Sequence, residues 1–364
     1  MLRAPDLDSA LVGKVLDGRY EVLERIGAGG VGEVYRARML KLDRLVAVKA
    51  LHEDHVANAQ FVARFQREAK AISRMHHPQC VSVLDFGVVQ SRPYLVLEYL
   101  PGRTVNKLLR DGPLPAARAV GIALQVLDAL SYFHRQNVVH RDLKSENLML
   151  VEAGAGKDFV KVLDFGMAKI LDSEPGESQL STRGVVAGTV TAMAPEQIQQ
   201  LQPDRRIDIY ATGILLYEMI VGHRPFRAKE QKEVARMQLH SRPRPPREIL
   251  GEAALSLELE QVILKALEKE RDDRFALAEY MAEALQRTPE GRQVPARPAP
   301  TEPEPPAEIT VLESLLASDT PEDSASVALP ASETADLPRS RRWLVPVVIV
   351  LLAALGALVG IYGR

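Results

Sequence analysis

Asp142 and Asn147 stand close together in His140-Arg141-Asp142-Leu143-Lys144-Ser145-Glu146-Asn147, and Asp164-Phe165-Gly166 follows after two strand-like stretches. Mg2+ is a hard cation that takes oxygen ligands and keeps company with phosphates. Asn147 and Asp164 can each supply it with an oxygen. Asp142 is then free to accept a proton from a hydroxyl group. Lys144 puts a point charge where a phosphoryl group would transfer.

A second constellation lies upstream, in Gly27-Ala28-Gly29-Gly30-Val31-Gly32-Glu33-Val34. Glycines let backbone N–H groups approach phosphate oxygens without obstruction by Cβ. A dinucleotide-binding turn would run directly into a helix. Here Val34-Tyr35-Arg36-Ala37 reads as a strand, so the loop is a flap between two strands. Val46-Ala47-Val48-Lys49 alternates as a half-buried strand and closes on a lysine. In the segment after it, Phe61, Phe65, Ile72 and Met75 form one helical stripe, and Glu68 falls on that stripe. A carboxylate on a buried face needs a partner, and Lys49 is the nearest candidate. On spacing alone, a Lys49 that extends to solvent stays open.

The elements that must hold these groups divide the chain. Strands are expected at Tyr20–Ile26, Glu33–Arg38, Leu45–Leu51, Val81–Phe86 and Tyr94–Tyr99, with one helix over Asn58–Met75 that Pro78 stops. Beyond Thr104 the pattern turns helical. Arg118–His134 is amphipathic, Ile207–Val221 is apolar nearly all round, and helices follow near Leu257–Glu268 and Ala276–Gln286. A sheet-rich lobe followed by a helical lobe is an α+β layout.

Taken in order, the Gly-rich loop, VAVK, a helix glutamate, HRDLKSEN, DFG and Ala194-Pro195-Glu196 resemble the eukaryotic-type protein kinases over about Tyr20–Gln286. The likeness is greatest to the bacterial membrane-anchored serine/threonine kinases. It implies a two-lobed fold, with a small antiparallel-sheet lobe carrying one helix and a larger helical lobe. It implies ATP and Mg2+ as cofactors and protein Ser/Thr hydroxyls as acceptors. Ile26, Gly27, Ala28, Gly29, Gly30, Val31, Gly32, Glu33 and Val34 would cover the phosphates. Lys49 would hold them and pair with Glu68. Val34, Ala47 and Met149 would enclose the adenine beside a gatekeeper, Leu97, and a hinge running from Glu98 to Leu100. Asp142 would be the base, with Lys144 beside it, and Asn147 and Asp164 the metal ligands. Glu196 would pair with Arg274, and Asp208 would brace the loop around Asp142. Lys144, and Thr189 where such kinases contact Asp142 and Lys144, favour Ser/Thr over Tyr. Val190 and Ala192 replace a usual proline and tyrosine where the peptide pocket is shaped. Arg141 before Asp142 implies control by phosphorylation of the activation loop, with Ser181 and Thr182 the expected sites. The rival reading, a catalytically weak pseudokinase scaffold at a membrane, needs a lost lysine, base or metal ligand, and Lys49, Asp142, Asn147 and Asp164 are all in place.

Composition sets further bounds. The formal net charge is −2 and no dense Lys/Arg run occurs, which argues against nucleic-acid binding. The single cysteine, Cys80, excludes an internal disulfide and reads as a small buried hydrophobe. His52-Glu53-Asp54-His55 has metal-like spacing but reads as a solvated loop. Residues 1–19 are set apart as an N-terminal extension without a signal-peptide core. The kinase domain is placed at 20–286 and a Pro-rich, acidic, disordered linker at 287–342. Trp343–Tyr362 carries no charge and, at about 1.5 Å per residue, spans a hydrocarbon core, leaving a short tail at 363–364. Arg339, Arg341 and Arg342 before it place the kinase domain on the cytoplasmic side of the cell's inner or plasma membrane. Gly356 and Gly360 form a GxxxG that fits either a homodimer through this helix or plain tolerance of glycine in membranes.

Overall fold

Alternating aromatic and β-branched residues build the first lobe. The computed structural model describes residues 11–28, 32–51, 69, 73, 75–89, 92–152, 158–163 and 190–295. Six strands, β1 (Val15–Leu16), β2 (Tyr20–Ala28), β3 (Gly32–Met39), β4 (Arg44–Leu51), β5 (Val83–Val89) and β6 (Arg92–Glu98), form one antiparallel sheet in the order β1-β2-β3-β4-β6-β5. The inward residues Tyr20, Val22, Tyr35, Val46, Val48, Tyr94 and Val96 form its core. The register sets Val34 opposite Lys49 and Ala47 opposite Leu97, which gathers four of the expected ATP-site positions on neighbouring strands. Most of the helix expected over Asn58–Met75 lies outside the described residues.

The second lobe contains a small sheet of β7 (Gly102–Thr104), β8 (Leu148–Glu152) and β9 (Asp158–Val162). Its helices are α1 (Val105–Leu108), α2 (Ala116–Arg135), α3 (Pro195–Ile198), α4 (Arg206–Val221), α5 (Gln231–His240), α6 (Pro246–Leu250), α7 (Leu257–Ala266) and α8 (Ala278–Arg287). Every residue of α4 from Ile207 to Val221 is buried, as its largely apolar sequence leads one to expect, and the polar Asp208, Thr212 and Glu218 are buried with the rest. Gly213 lets α7 come close, since a Cβ there would lie 2.9 Å from that of Ala266. Among the described residues α2 is the one helix long and apolar enough to cross a membrane, and it is a core helix of this lobe.

Folded structure continues on both sides of 20–286. Leu11 and Leu16 are fully buried in the first lobe. The turn after β1 is fastened to the far edge of the sheet by Arg19–Asp85 at 2.5 Å and by the Tyr94 hydroxyl on Asp17. Past residue 287, the Glu290 carboxylate accepts the Ser256 N–H and hydroxyl, both at 2.7 Å, while Gly291 is buried. These contacts fold the first residues, 287–295, of the segment expected to be a disordered linker.

Candidate active site

The loop that carries Asp142 follows α2 and is clamped from three directions. His140 is fully buried. Its Nδ1 accepts the Asp142 N–H at 3.3 Å, so the ring proton is on Nε2, which donates to the Leu163 carbonyl at 3.0 Å. The Leu163 N–H in turn donates to the Asn147 carbonyl at 2.8 Å. One imidazole therefore joins the Asp142 loop to the end of β9. Asp164 is the next residue and lies outside the described residues.

Within the loop, the Lys144 ammonium reaches both Asp142 oxygens, at 2.8 and 2.7 Å. The one-turn 3-10 helix Ser145–Asn147 brings Asn147 back, and its Nδ2 donates to the Asp142 carbonyl at 2.8 Å and to Oδ2 at 3.1 Å. This commits the amide nitrogen to Asp142 and turns the amide oxygen, the atom that binds a hard cation, to the other side. Asp142, Lys144 and Asn147 are thus brought together.

The second clamp is Asp208, in the first turn of α4 and 1% exposed. Its Oδ2 accepts from His134 Nε2 and the His140 N–H, both at 2.8 Å, and its Oδ1 accepts the Arg141 N–H at 3.0 Å. Burial alone would raise this carboxyl, but the hydrogen bond and charge of His134 and the His140 contacts outweigh it and hold it below the usual carboxylate range. Arg141 sits at φ +69°, in the left-handed region where a side chain is strained, and the bond to Asp208 holds it there. The third clamp is Gln197 on α3, whose side chain accepts the Ala194 N–H and donates to the Arg141 carbonyl, each at 3.0 Å. Beside it Glu196 and Arg274 form a buried two-pronged pair at 2.7 and 2.8 Å, as expected.

Lys49 lies within the buried run of β4, Val46–Leu51, and is 7% exposed. Ile26, Gly27 and Ala28 close β2, with Gly27 opposite Val34 and Ala28 opposite Glu33. Gly32 must be glycine, since a Cβ would lie 2.1 Å from the Ala50 carbonyl oxygen. Glu33 points away from a purely covering role, because its carboxylate accepts from Arg25 at 3.0 Å, Tyr35 at 2.7 Å and Arg92 at 3.3 Å. Burial opposes its ionisation, and these donors outweigh burial and lower its pKa. Met149 lies on β8 opposite Thr104 and Lys161. Leu97 and Glu98 end β6, and Leu100 follows. Gly29, Gly30, Val31, Glu68, Ser181, Thr182 and Thr189 lie outside the described residues, as does the His52–His55 segment. Cys80 is buried, and burial pushes its thiol well up, which leaves an unreactive hydrophobe.

The protein kinase domain family matches residues 20–286. The chain belongs to this family. It is 44% identical over 287 residues to the serine/threonine-protein kinase pkn3 of Myxococcus xanthus, covering 78% of this chain and 52% of that one. It is 36% identical over 348 residues to the serine/threonine-protein kinase PknB of Mycolicibacterium smegmatis, covering 92% and 53%. The chain thus matches about half the length of these relatives. The crystal structure of the Mycobacterium tuberculosis PknI kinase domain is similar with a TM-score of 0.59 and 25% identity, over 76% of this chain and 99% of that one.

Three functional contacts of this kinase domain were not foreseen from sequence. His134, on the buried face of α2, donates to Asp208, and its position in an apolar helix stripe was the available signal. Lys161 on β9 reaches Glu98 Oε1 at 2.7 Å and the Cys80 carbonyl at 3.2 Å, while the same Glu98 oxygen accepts the Ser82 N–H at 2.8 Å. This ties the end of β6 to the second lobe. Arg224, which reaches Glu146 and Glu218, carries no sequence signal.

Proposed function

We propose that the protein is a serine/threonine protein kinase that transfers the γ-phosphoryl group of ATP to Ser/Thr hydroxyls of proteins. The observation that carries this reading is the Asp142 carboxylate held by Lys144 on both oxygens and by Asn147 on one, in a loop fastened to the end of β9. The donor set fits Mg2+ and ATP, because the Asn147 amide is oriented by Asp142 with its oxygen turned outward. Asn147 and Asp164 would hold the metal, which when bound neutralises charge on the phosphate oxygens. Lys49, with the loop from Gly27 to Val34, would hold the nucleotide phosphates, and Ala47, Met149, Leu97 and the Glu98–Leu100 segment its base.

The residues of the chain do the rest. Asp142 orients the acceptor hydroxyl and takes its proton on a carboxylate oxygen as the oxygen attacks. Lys144 fixes that carboxylate and adds positive charge beside the transferring group. His140 and Asp208 keep the loop in place, which matters because misplacement by about 1 Å costs about a hundredfold in rate. Autophosphorylation at Ser181 and Thr182 would supply anions for Arg141. Trp343–Tyr362 would anchor the kinase domain to the inner face of a membrane through the 287–342 segment, and its GxxxG would bring two copies together.

The test is Mg2+/ATP transfer by the full chain, wild type beside Asp142→Asn, with phosphosites read by mass spectrometry. The expected result is phosphoserine or phosphothreonine with the wild type and a loss of about 10²–10⁴ in rate with the variant. ATP binding without any transfer by the wild type would refute the reading.

A further inference from the structure

The turn after α4 folds back onto the Asp142 loop. Gly222, at φ +85°, reverses the chain, and Phe226 anchors the return at 1% exposure. Between them, Arg224 reaches three separate segments. Its NH2 group donates to both Glu146 oxygens at 2.9 and 2.8 Å. Its Nε donates to Glu218 Oε1 at 3.1 Å, and NH1 donates to the Thr191 hydroxyl. Glu146 belongs to the same one-turn helix as Asn147 and is 40% exposed, whereas Glu218 and Arg224 are each 11% exposed. Burial raises the Glu218 carboxyl, and Arg224 pulls it back.

The location gives the arrangement its meaning. Glu146 stands four residues after Asp142 in the same loop and is joined through Arg224 to the 190–192 turn, so residues flanking a hydroxyl held at Asp142 would pass close to this acidic wall. Two carboxylates in such a wall attract a basic side chain, and an arginine fork suits them best. Here the fork is supplied by the protein itself, at the high effective concentration of an intramolecular group.

We propose that Arg224 is a specificity-determining residue: it fills, from within, an acidic subsite beside the catalytic loop that would otherwise take a basic side chain of the acceptor protein. The wild type accordingly does not select substrates with arginine near the target residue. This rests on the transfer to protein Ser/Thr proposed above.

The test uses the full chain, Mg2+/ATP and a set of peptides with one central serine in an alanine background, in which a single arginine is walked through the flanking positions. The readout is kcat/KM relative to the all-alanine peptide. The wild type and Arg224→Lys should give ratios near one throughout. Arg224→Met and the gentler Arg224→Gln should raise the ratio about tenfold or more at one position, since a charge-assisted hydrogen bond to a partly buried acid is gained. Adding Glu146→Gln to either variant should remove that gain. Flat ratios in an active Arg224→Gln or Arg224→Met protein overturn the inference and leave the kinase reading intact. So does a wild-type preference for arginine that Glu146→Gln abolishes, a result that needs no Arg224 variant to fold. A wild type that phosphorylates no peptide and no protein overturns the kinase reading and this inference together.

Discussion

Asp208→Asn tests how the shape of the Asp142 loop is maintained. The substitution conserves volume and removes one acceptor oxygen. The new amide oxygen can face His134 and the His140 N–H, or it can face the Arg141 N–H, but not both groups. The cheaper choice keeps His134 and His140 and leaves the Arg141 N–H facing an NH2 group. That forfeits one hydrogen bond to a charged acceptor, about 1.5–3 kcal/mol, and weakens the remaining two, which become neutral. The sum is about 3–5 kcal/mol, as when one partner of a buried pair is removed. Arg141 also loses the contact that holds its left-handed backbone, whose strain is about 1–3 kcal/mol. The loop can relieve this by moving away from Asp208, so the variant should fold with reduced stability and a displaced Asp142. The expected readout is a kcat lower by about a hundredfold, with the KM for ATP little changed. Urea denaturation should show the stability loss, and its acid dependence should change as well. The Asp208 carboxyl is lowered in the folded state, so its contribution is complete above the ordinary value of about 4 and is lost as pH falls through the lower folded value. Asp208→Asn should lack that part of the acid transition. A folded Asp208→Asn protein with wild-type kcat would refute the reasoning.

Two further outcomes follow from buried and half-buried ion pairs. Glu196→Ala leaves the Arg274 guanidinium buried with only carbonyl partners, from Glu268 at 2.8 Å, Lys269 at 2.9 Å and Arg206 at 3.3 Å, and should cost about 3–5 kcal/mol by denaturant titration. The double variant Glu196→Leu with Arg274→Met should cost less than Glu196→Ala alone, because no charge is left without its partner. Lys161→Met removes the tie from β9 to Glu98 while leaving the Ser82 bond, and should raise the KM for ATP about fivefold, equivalent to about 1 kcal/mol, with a smaller effect on kcat. Lys161→Arg should restore most of it, and an unchanged KM in Lys161→Met would show that the tie does not position the hinge.

What could be read from the sequence, and what could not, separates along one physical line. Features set by local pattern were legible. The strands of the first lobe were legible from their β-branched and aromatic residues, although only parts of β2 and β3 alternate in burial and the expected half-buried strand at Val46–Lys49 belongs to a run buried without a break from Val46 to Leu51. The Asp142–Asn147 loop carries its donors and acceptors within six residues of chain. The apolar run of Ile207–Val221 announced a helix buried on all sides. Long-range side-chain contacts were legible only where the family resemblance named them, as for Glu196 with Arg274 and for Asp208. His134, Lys161 and Arg224 escaped, since each is an ordinary polar residue until the fold brings it to a carboxylate far along the chain. The packing of Leu11 and Leu16 escaped for the same reason, as their partners lie on strands yet to be formed. The two kinds of information meet at α4. A helix with no polar face can be placed from its composition, yet that same composition makes an ionised Asp208 within it costly unless donors converge on it. They do converge, from the end of α2 and from the backbone of His140 and Arg141. The cost of burying the charge thereby becomes the restraint on the loop, because the backbone can leave its strained conformation only by exposing an unpaired carboxylate in the core.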